Sequence, residues 1–259
     1  MGQCPTSFQT PWIIAHRGAR KEAPDNTRSA FKRALSYPID GIELDVQMSA
    51  DGVPILYHDR TLSKVGLRRR RVSELTYARL KQLDWGGWFH RDFAGEPLPT
   101  LDRTLSLLVD RTRLLIEIKS QPKDRSSGHS MRLTHQVVQM LNRQKHFKAR
   151  PLILSFDPNV LFLAWKMAPQ WRYVLNISEK VPKIVTELPS SATKHLWALD
   201  VTINKLSSGL KQWTRDHGLR LFTYTCNRPY QVRKAMDLKV DALLTDRPGW
   251  LGRYLHKSY

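Results

Sequence analysis

The chain repeats one pattern eight times: a short apolar run ends in polar residues, and a stretch with helical spacing follows. The apolar runs are Trp12–Ala15, Gly41–Val46, Arg113–Lys119, Pro151–Phe156, Trp171–Asn176, Leu196–Val201, Leu219–Thr225 and Ala242–Asp246. The helical stretches are Arg28–Ser36, Leu101–Val109, Ser130–Phe147, Pro158–Met167, Val181–Leu188, Leu206–His217 and Arg228–Asp237, with a last one after Pro248. Strands that alternate with helices must be joined by crossovers, which makes them parallel. Eight such units in about 250 residues predict a closed (β/α)8 TIM barrel. The alternative, an open doubly wound sheet, would carry a Gly-rich phosphate loop after its first strand, and none follows Trp12–Ala15.

The second run carries an addition. Asp51-Gly52 signals a tight turn, after which Val53–His58 returns as an extension of that strand. Residues 60–99 then change texture, with a short helix predicted over Val72–Leu83, glycines at 86, 87 and 95, and aromatics at Trp85, Trp88 and Phe89. We read them as a small inserted subdomain after the second strand, and residues 1–259 otherwise as one domain. Trp88 and Phe89 fit the insertion's own core better than a lip over a site.

In such a barrel the chemistry gathers at the C-terminal ends of the strands. The first strand ends in His16-Arg17. In the second, side chains alternate with period two, so Glu43 and Asp45 share one face while Ile42, Leu44 and Val46 share the other. Two acids on one buried face repel and resist desolvation unless a cation or a base stands with them. A two-residue Asp51-Gly52 turn would set Asp45 opposite His58, and a one-residue shift would set Glu43 there; either way His58 joins the carboxylates. The third strand again places polar residues two apart, Glu117 and Lys119. Later strands end in Ser155, Asn176, Asp200, Thr225 with Asn227, and Asp246, groups suited to hydrogen bonding or loop capping.

Composition narrows the class. Forty-two Lys and Arg against 23 Asp and Glu give a net charge of +19, which favours anionic partners. No zinc-finger spacing, RNA-binding aromatic signature or basic zipper accompanies the charge, so no nucleic-acid partner is expected. The one local knot, Arg68–Arg71, leaves peripheral contact with an acidic membrane as an expectation. No apolar run approaches the roughly 18 residues of a membrane span, and no basic-then-apolar leader is read at the N-terminus. With only Cys4 and Cys226, a reducing, cytoplasmic location is predicted.

Taken in order, HRG, PDNT, GIELDV, DGVPILYHD, DWGGWF, LPTL, IEIK and LLTDRP resemble the glycerophosphodiester phosphodiesterase family from His16 to Pro248. The resemblance implies a barrel with an insertion after the second strand and one divalent cation, Mg²⁺ or Ca²⁺, held by Glu43, Asp45 and Glu117. A set of three carboxylates suits a hard ion. It further implies His16 and His58 as the general acid–base pair and Arg17 and Lys119 as phosphate clamps. The implied activity is hydrolysis of a small-molecule glycerophosphodiester to sn-glycerol 3-phosphate and an alcohol. Two departures stand out: Asp25 replaces the family's Glu in PENT, and Tyr224 stands where Trp is usual, which bears on head-group preference. The rival readings are a lysophospholipase D-like activity on lipids and a non-catalytic barrel binding anionic lipid or nucleic acid. Intact His16, His58, Glu43, Asp45 and Glu117 argue against the last.

Overall fold

The computed structural model describes residues 10–120, 127–178 and 194–258. Its strands are β1 (Trp12–His16), β2 (Gly41–Met48), β3 (Pro54–Leu56), β4 (Arg113–Ile118), β5 (Leu152–Ser155), β6 (Arg172–Ile177), β7 (Ala198–Thr202), β8 (Arg220–Tyr224) and β9 (Ala242–Thr245). Eight of them pair in parallel in the order β1-β9-β8-β7-β6-β5-β4-β2, and β1 pairs β2 to close the ring. β3 lies antiparallel on β2. The closed barrel expected from the alternation is the observed fold.

The pleat explains how the barrel is filled. Outward-facing Ile42, Leu44, Val46, Ile116 and Ile118 pack with the surrounding helices, for example with Phe31 and Ala34 of the helix Arg28–Leu35. Inward-facing Ile14, Leu115, Val174, Ala198 and Leu244 form the interior cluster. Two residues further along the same strands stand His16, Glu117, Asn176, Asp200 and Asp246, so the interior turns polar one pleat nearer the C-terminal ends. At the opposite end Trp12 stacks on Trp197, with ring centroids 5.8 Å apart. The guanidinium of Arg113 lies 3.8 Å over Trp12 and that of Arg172 4.3 Å over Trp197, a cation–π plug at the strand starts.

The helices start where capping chemistry allows. The Thr27 side chain accepts from the Ala30 N–H and the Ser207 side chain from the Leu210 N–H, at the N-caps of Arg28–Leu35 and Ser208–Asp216. Pro158 and Pro229 open their helices at positions that need no N–H. Within residues 60–99, Leu62, Val72, Leu80, Trp85 and Leu98 cluster with Ile55 and Tyr57, apart from the barrel core.

Three local expectations change. The β2–β3 register pairs Met48 with Pro54 and Val46 with Leu56, so Asp45 falls opposite Tyr57, whose N–H donates to the Asp45 carbonyl at 3.1 Å. Neither Asp45 nor Glu43 stands opposite His58. The cause is a longer link: the Ser49 N–H donates to the Val53 carbonyl, and the Ser49 hydroxyl accepts from the Val53 N–H while donating to Asp51. The stretch Val72–Leu83 breaks into a 3-10 turn, Val72–Glu74, and one α-turn, Tyr77–Leu80, because Leu75 is extended and Thr76 caps the second piece. The helix expected over Ser130–Phe147 covers His129–Asn142. The stretch Val181–Leu188 lies outside the described residues.

The exit from β1 has a demanding backbone. Arg17 has φ +60° and Gly18 φ +81°, and a Cβ on Gly18 would lie 2.7 Å from the Ala30 carbonyl carbon. Strain and collision together should make Gly18→Ala cost about 2–4 kcal/mol in urea unfolding. Gly95, with φ +78° but open space around it, should cost only about 1 kcal/mol as alanine. Equal costs would show that the close approach to Ala30 does not matter.

Candidate active site

Glu43, Asp45 and Glu117 meet at the polar end of the barrel because β2 and β4 pair with Asp45 beside Glu117, and Glu43 lies one pleat back on the same face. Each offers an oxygen such that all three lie within 4.8 Å of one another, and all three residues are buried. Asp45 is fixed on several sides. Its Oδ2 accepts from Asn26 Nδ2 at 2.8 Å and lies 3.0 Å from Arg17 Nε, while its Oδ1 is 3.0 Å from Lys119 Nζ. Burial would raise the Asp45 carboxyl, but Lys119 and Arg17 hold it well below the usual carboxylate range. Glu43 has the opposite balance: burial and the Asp45 charge push it well above that range. Its Oε1 is buried and makes no hydrogen bond.

Lys119 bridges the cluster, 2.7 Å from Glu117 Oε1 as well as 3.0 Å from Asp45. Burial works against its charge, yet the two carboxylates raise its pKa. Arg17 reaches Asp45 through Nε and Asp25 through a terminal nitrogen at 3.6 Å. Its backbone N–H donates to both the Glu43 carbonyl and Glu43 Oε2, which ties the strained turn after β1 to the carboxylate cluster. Both expected phosphate clamps are thus seated among the carboxylates. Asp25 also accepts from Lys64 at 3.0 and 3.1 Å, so its shorter side chain still anchors the loop.

The two histidines line one cleft of about 180 Å³ together with Glu43 and Glu117. Each is oriented by a carboxylate. His16 Nδ1 lies 2.7 Å from Asp246 Oδ1, and its Nε2 lies 3.9 Å from Glu43 Oε2. Burial, then the Arg17 charge, bring the His16 imidazole down to about 4 against the pull of Asp246. Asp246, in turn, is held well below the ordinary carboxylate range. Burial opposes this, but its hydrogen bond and charge interaction with His16 prevail. His58 comes from the loop after β3, and its Nδ1 lies 2.8 Å from Asp59 Oδ1. That contact, stronger than the opposing burial, brings Asp59 down to about 2, and Lys64 holds its other oxygen at 3.2 Å.

The structure therefore brings together all seven residues singled out in the sequence, although His58 arrives through a loop. It also adds residues the sequence reading did not assign to the site. Asp246 does more than cap a loop: the β1–β9 pairing carries it to His16 from 230 positions away. Asn26, with φ +61°, clamps Asp45 from both sides, donating to its side chain and accepting from its N–H at 3.1 Å. Asn176 donates to Glu117 Oε2 at 3.0 Å. Asp200 and Tyr224 line the cleft as well. The signal that could have found Asp246, Asn176 and Asp200 was already present, since each ends a barrel strand.

Three buried carboxylates with an unpaired Glu43 oxygen and no thiol or imidazole donor fit a hard divalent cation. The adjoining imidazoles can move protons, and Arg17 and Lys119 supply fixed positive charge.

Comparison with known proteins gives this arrangement its relatives. The model of the glycerophosphoryl diester phosphodiesterase family matches residues 16–250. Over 253 residues the chain is 32% identical to the glycerophosphodiester phosphodiesterase of Caldanaerobacter subterraneus subsp. tengcongensis, covering 95% of this chain and 98% of that one. It is 27% identical over 245 residues to a Bacillus subtilis glycerophosphodiester phosphodiesterase, covering 91% and 83%. Among solved structures, a glycerophosphodiester phosphodiesterase from Agrobacterium tumefaciens aligns with a TM-score of 0.71 at 28% identity, over 94% of this chain and 100% of that one. An Oleispira antarctica phosphodiesterase, solved with the product sn-glycerol-3-phosphate, shares the fold with a TM-score of 0.83 at 23% identity, over 95% and 97%. With the match running from the first histidine past the last barrel strand, the chain belongs to the glycerophosphoryl diester phosphodiesterase family.

Proposed function

We propose that the chain is a divalent-cation-dependent phosphodiesterase that hydrolyses water-soluble glycerophosphodiesters to sn-glycerol 3-phosphate and an alcohol. The observation that carries this reading is one cleft lined by two carboxylate-oriented histidines beside a buried cluster of three carboxylates. Glu43, Asp45 and Glu117 would hold Mg²⁺ or Ca²⁺, which supplies charge for the phosphate oxygens as the transition state forms.

The protein's own groups do the rest. Asp246 can only accept, so the His16 proton sits on Nδ1 and Nε2 keeps its lone pair. An imidazole whose pKa lies at about 4 is a neutral base at pH 7. His16 therefore takes the proton of the attacking hydroxyl, and His58, steadied by Asp59, delivers one to the departing alkoxide. Arg17 and Lys119 meet the phosphate oxygens from within the carboxylate cluster. Residues 1–259 act as one catalytic domain, with 60–99 an inserted subdomain that contributes Lys64. Exposed Arg68, Arg69 and Arg70 support peripheral contact with an acidic surface. With only two cysteines in the sequence, the cytoplasm is the proposed location.

The direct test is release of sn-glycerol 3-phosphate from glycerophosphodiesters in Mg²⁺ or Ca²⁺, with and without EDTA. Turnover should vanish in EDTA and fall at least ~100-fold in His16→Ala; folded protein inactive with every metal and diester would refute the reading. Asp246→Asn tests the tautomer argument separately. It should lower kcat by about 10²–10⁴ with a much smaller change in KM, and a variant with near-normal kcat would remove Asp246 from the mechanism.

A further inference from the structure

Within the cleft, one carboxyl has no partner. Asp200 is 1% exposed, and among the described residues its side chain makes no hydrogen bond or salt bridge; its Oδ1 is fully enclosed. Around the ring β7 stands four strands from β2 in either direction, so Asp200 faces the cleft from the side opposite Glu43 and Asp45. The cations of the site among the described residues are committed elsewhere: Arg17 and Lys119 to the carboxylates on β2 and β4, and Arg20, which also lines the cleft, to Asp246 at 3.5 Å.

Two aromatic rings accompany it. The Tyr224 hydroxyl donates to the Ile177 carbonyl at 3.2 Å. Tyr224 belongs to β8 and Ile177 ends β6, so the side chain spans the end of β7, the strand that carries Asp200. With its hydroxyl engaged there, Tyr224 offers the cleft a ring and not a donor. Phe156, 41% exposed despite its size, stands edge-on to it with centroids 6.5 Å apart, and both rings line the cleft. A carboxyl with no counter-charge among the described residues, in a cleft lined by two aromatic rings, is a poor subsite for a neutral polyol. Such a polyol would be better served by paired donors and acceptors. It suits a cation, which aromatic rings attract; burial, then the Glu117 charge, hold the Asp200 carboxyl above the usual carboxylate range, and a cation beside it favours its ionised form.

From this juxtaposition of Asp200, Tyr224 and Phe156 we infer that the wall recognises the alcohol part of the substrate and selects alcohols bearing an ammonium group. The inference rests on the phosphodiesterase reading and narrows it. The substrate's ammonium brings a positive charge that no described residue sets against Asp200. Asp200 and Tyr224 are then specificity-determining residues for the reaction.

Two measurements on the intact chain test it. The first compares inhibition of diester turnover by choline and by 3,3-dimethyl-1-butanol, its uncharged carbon isostere. Choline should compete with an inhibition constant at least ~10-fold lower. The second takes the ratio of kcat/KM for glycerophosphocholine to that for glycerophosphoglycerol, which should exceed ~10 and fall toward unity in Asp200→Asn. Tyr224→Leu should reduce the same ratio and serves if the first variant does not fold. Equal inhibition by the two isosteres, or a ratio unmoved by both substitutions, would overturn the inference while leaving the phosphodiesterase reading intact. Failure to turn over any diester would remove that reading, and the inference with it.

Discussion

Three carboxylates share a buried space at the mouth of the barrel, and most of the site is arranged around that fact. Like unit charges about 4 Å apart repel by about 4 kcal/mol at an effective dielectric of about 20, and the Glu43, Asp45 and Glu117 oxygens come within 4.8 Å of one another. Two protein cations, Arg17 and Lys119, answer three anions, and Arg17 is shared with Asp25. The deficit falls on Glu43, whose carboxyl is pushed toward its neutral form while Asp45 stays ionised. A proton can settle that deficit, and so can a divalent cation. Only the second keeps three anionic ligands and adds a centre able to polarise a phosphate.

The fold delivers this cluster by economical means. Along β4, β6 and β9 one further pleat carries the interior from apolar to polar, from Leu115 to Glu117, Val174 to Asn176 and Leu244 to Asp246. The Trp12–Trp197 stack and its arginines fill the other end. The helices need only cover the outside. The loops then add groups the strands cannot: Asn26 and Asp25 from the β1 exit, and His58 with Asp59 and Lys64 from beyond β3. A chain with a net charge of +19 thus keeps an acidic centre, with its basic surface as a setting that draws anionic substrates toward it.

Much of this was legible in the sequence, for a definite reason. Period-two alternation alone puts Glu43 with Asp45 and Glu117 with Lys119 on one face, and eight repeats alone call for a closed barrel. Long-range partners were not legible. Nothing local to Asp246 says that ring closure will seat it 2.7 Å from His16, and Asn26 reaches Asp45 only through a left-handed turn. The hairpin register was misread because the Asp51-Gly52 turn is set by Ser49, whose backbone and hydroxyl both engage Val53. Val72–Leu83 likewise looked continuous because apolar spacing does not register Thr76 as a fresh cap.

The account stands most directly on whether the carboxylate cluster is a cation site that the folded protein needs. Thermal unfolding in EDTA and in rising Mg²⁺ or Ca²⁺, for the natural chain and for Glu43→Gln, measures this without any substrate. The expected result is a Tm that climbs with cation, by up to about 2.7 kcal/mol of stability at one hundred times Kd. In Glu43→Gln the climb should be lost, and in EDTA the variant should be at least as stable as the natural chain, because a buried carboxyl beside Asp45, with one oxygen unpaired, has been replaced by a neutral amide. A Tm indifferent to both cations, or a cation response unchanged in Glu43→Gln, would contradict it.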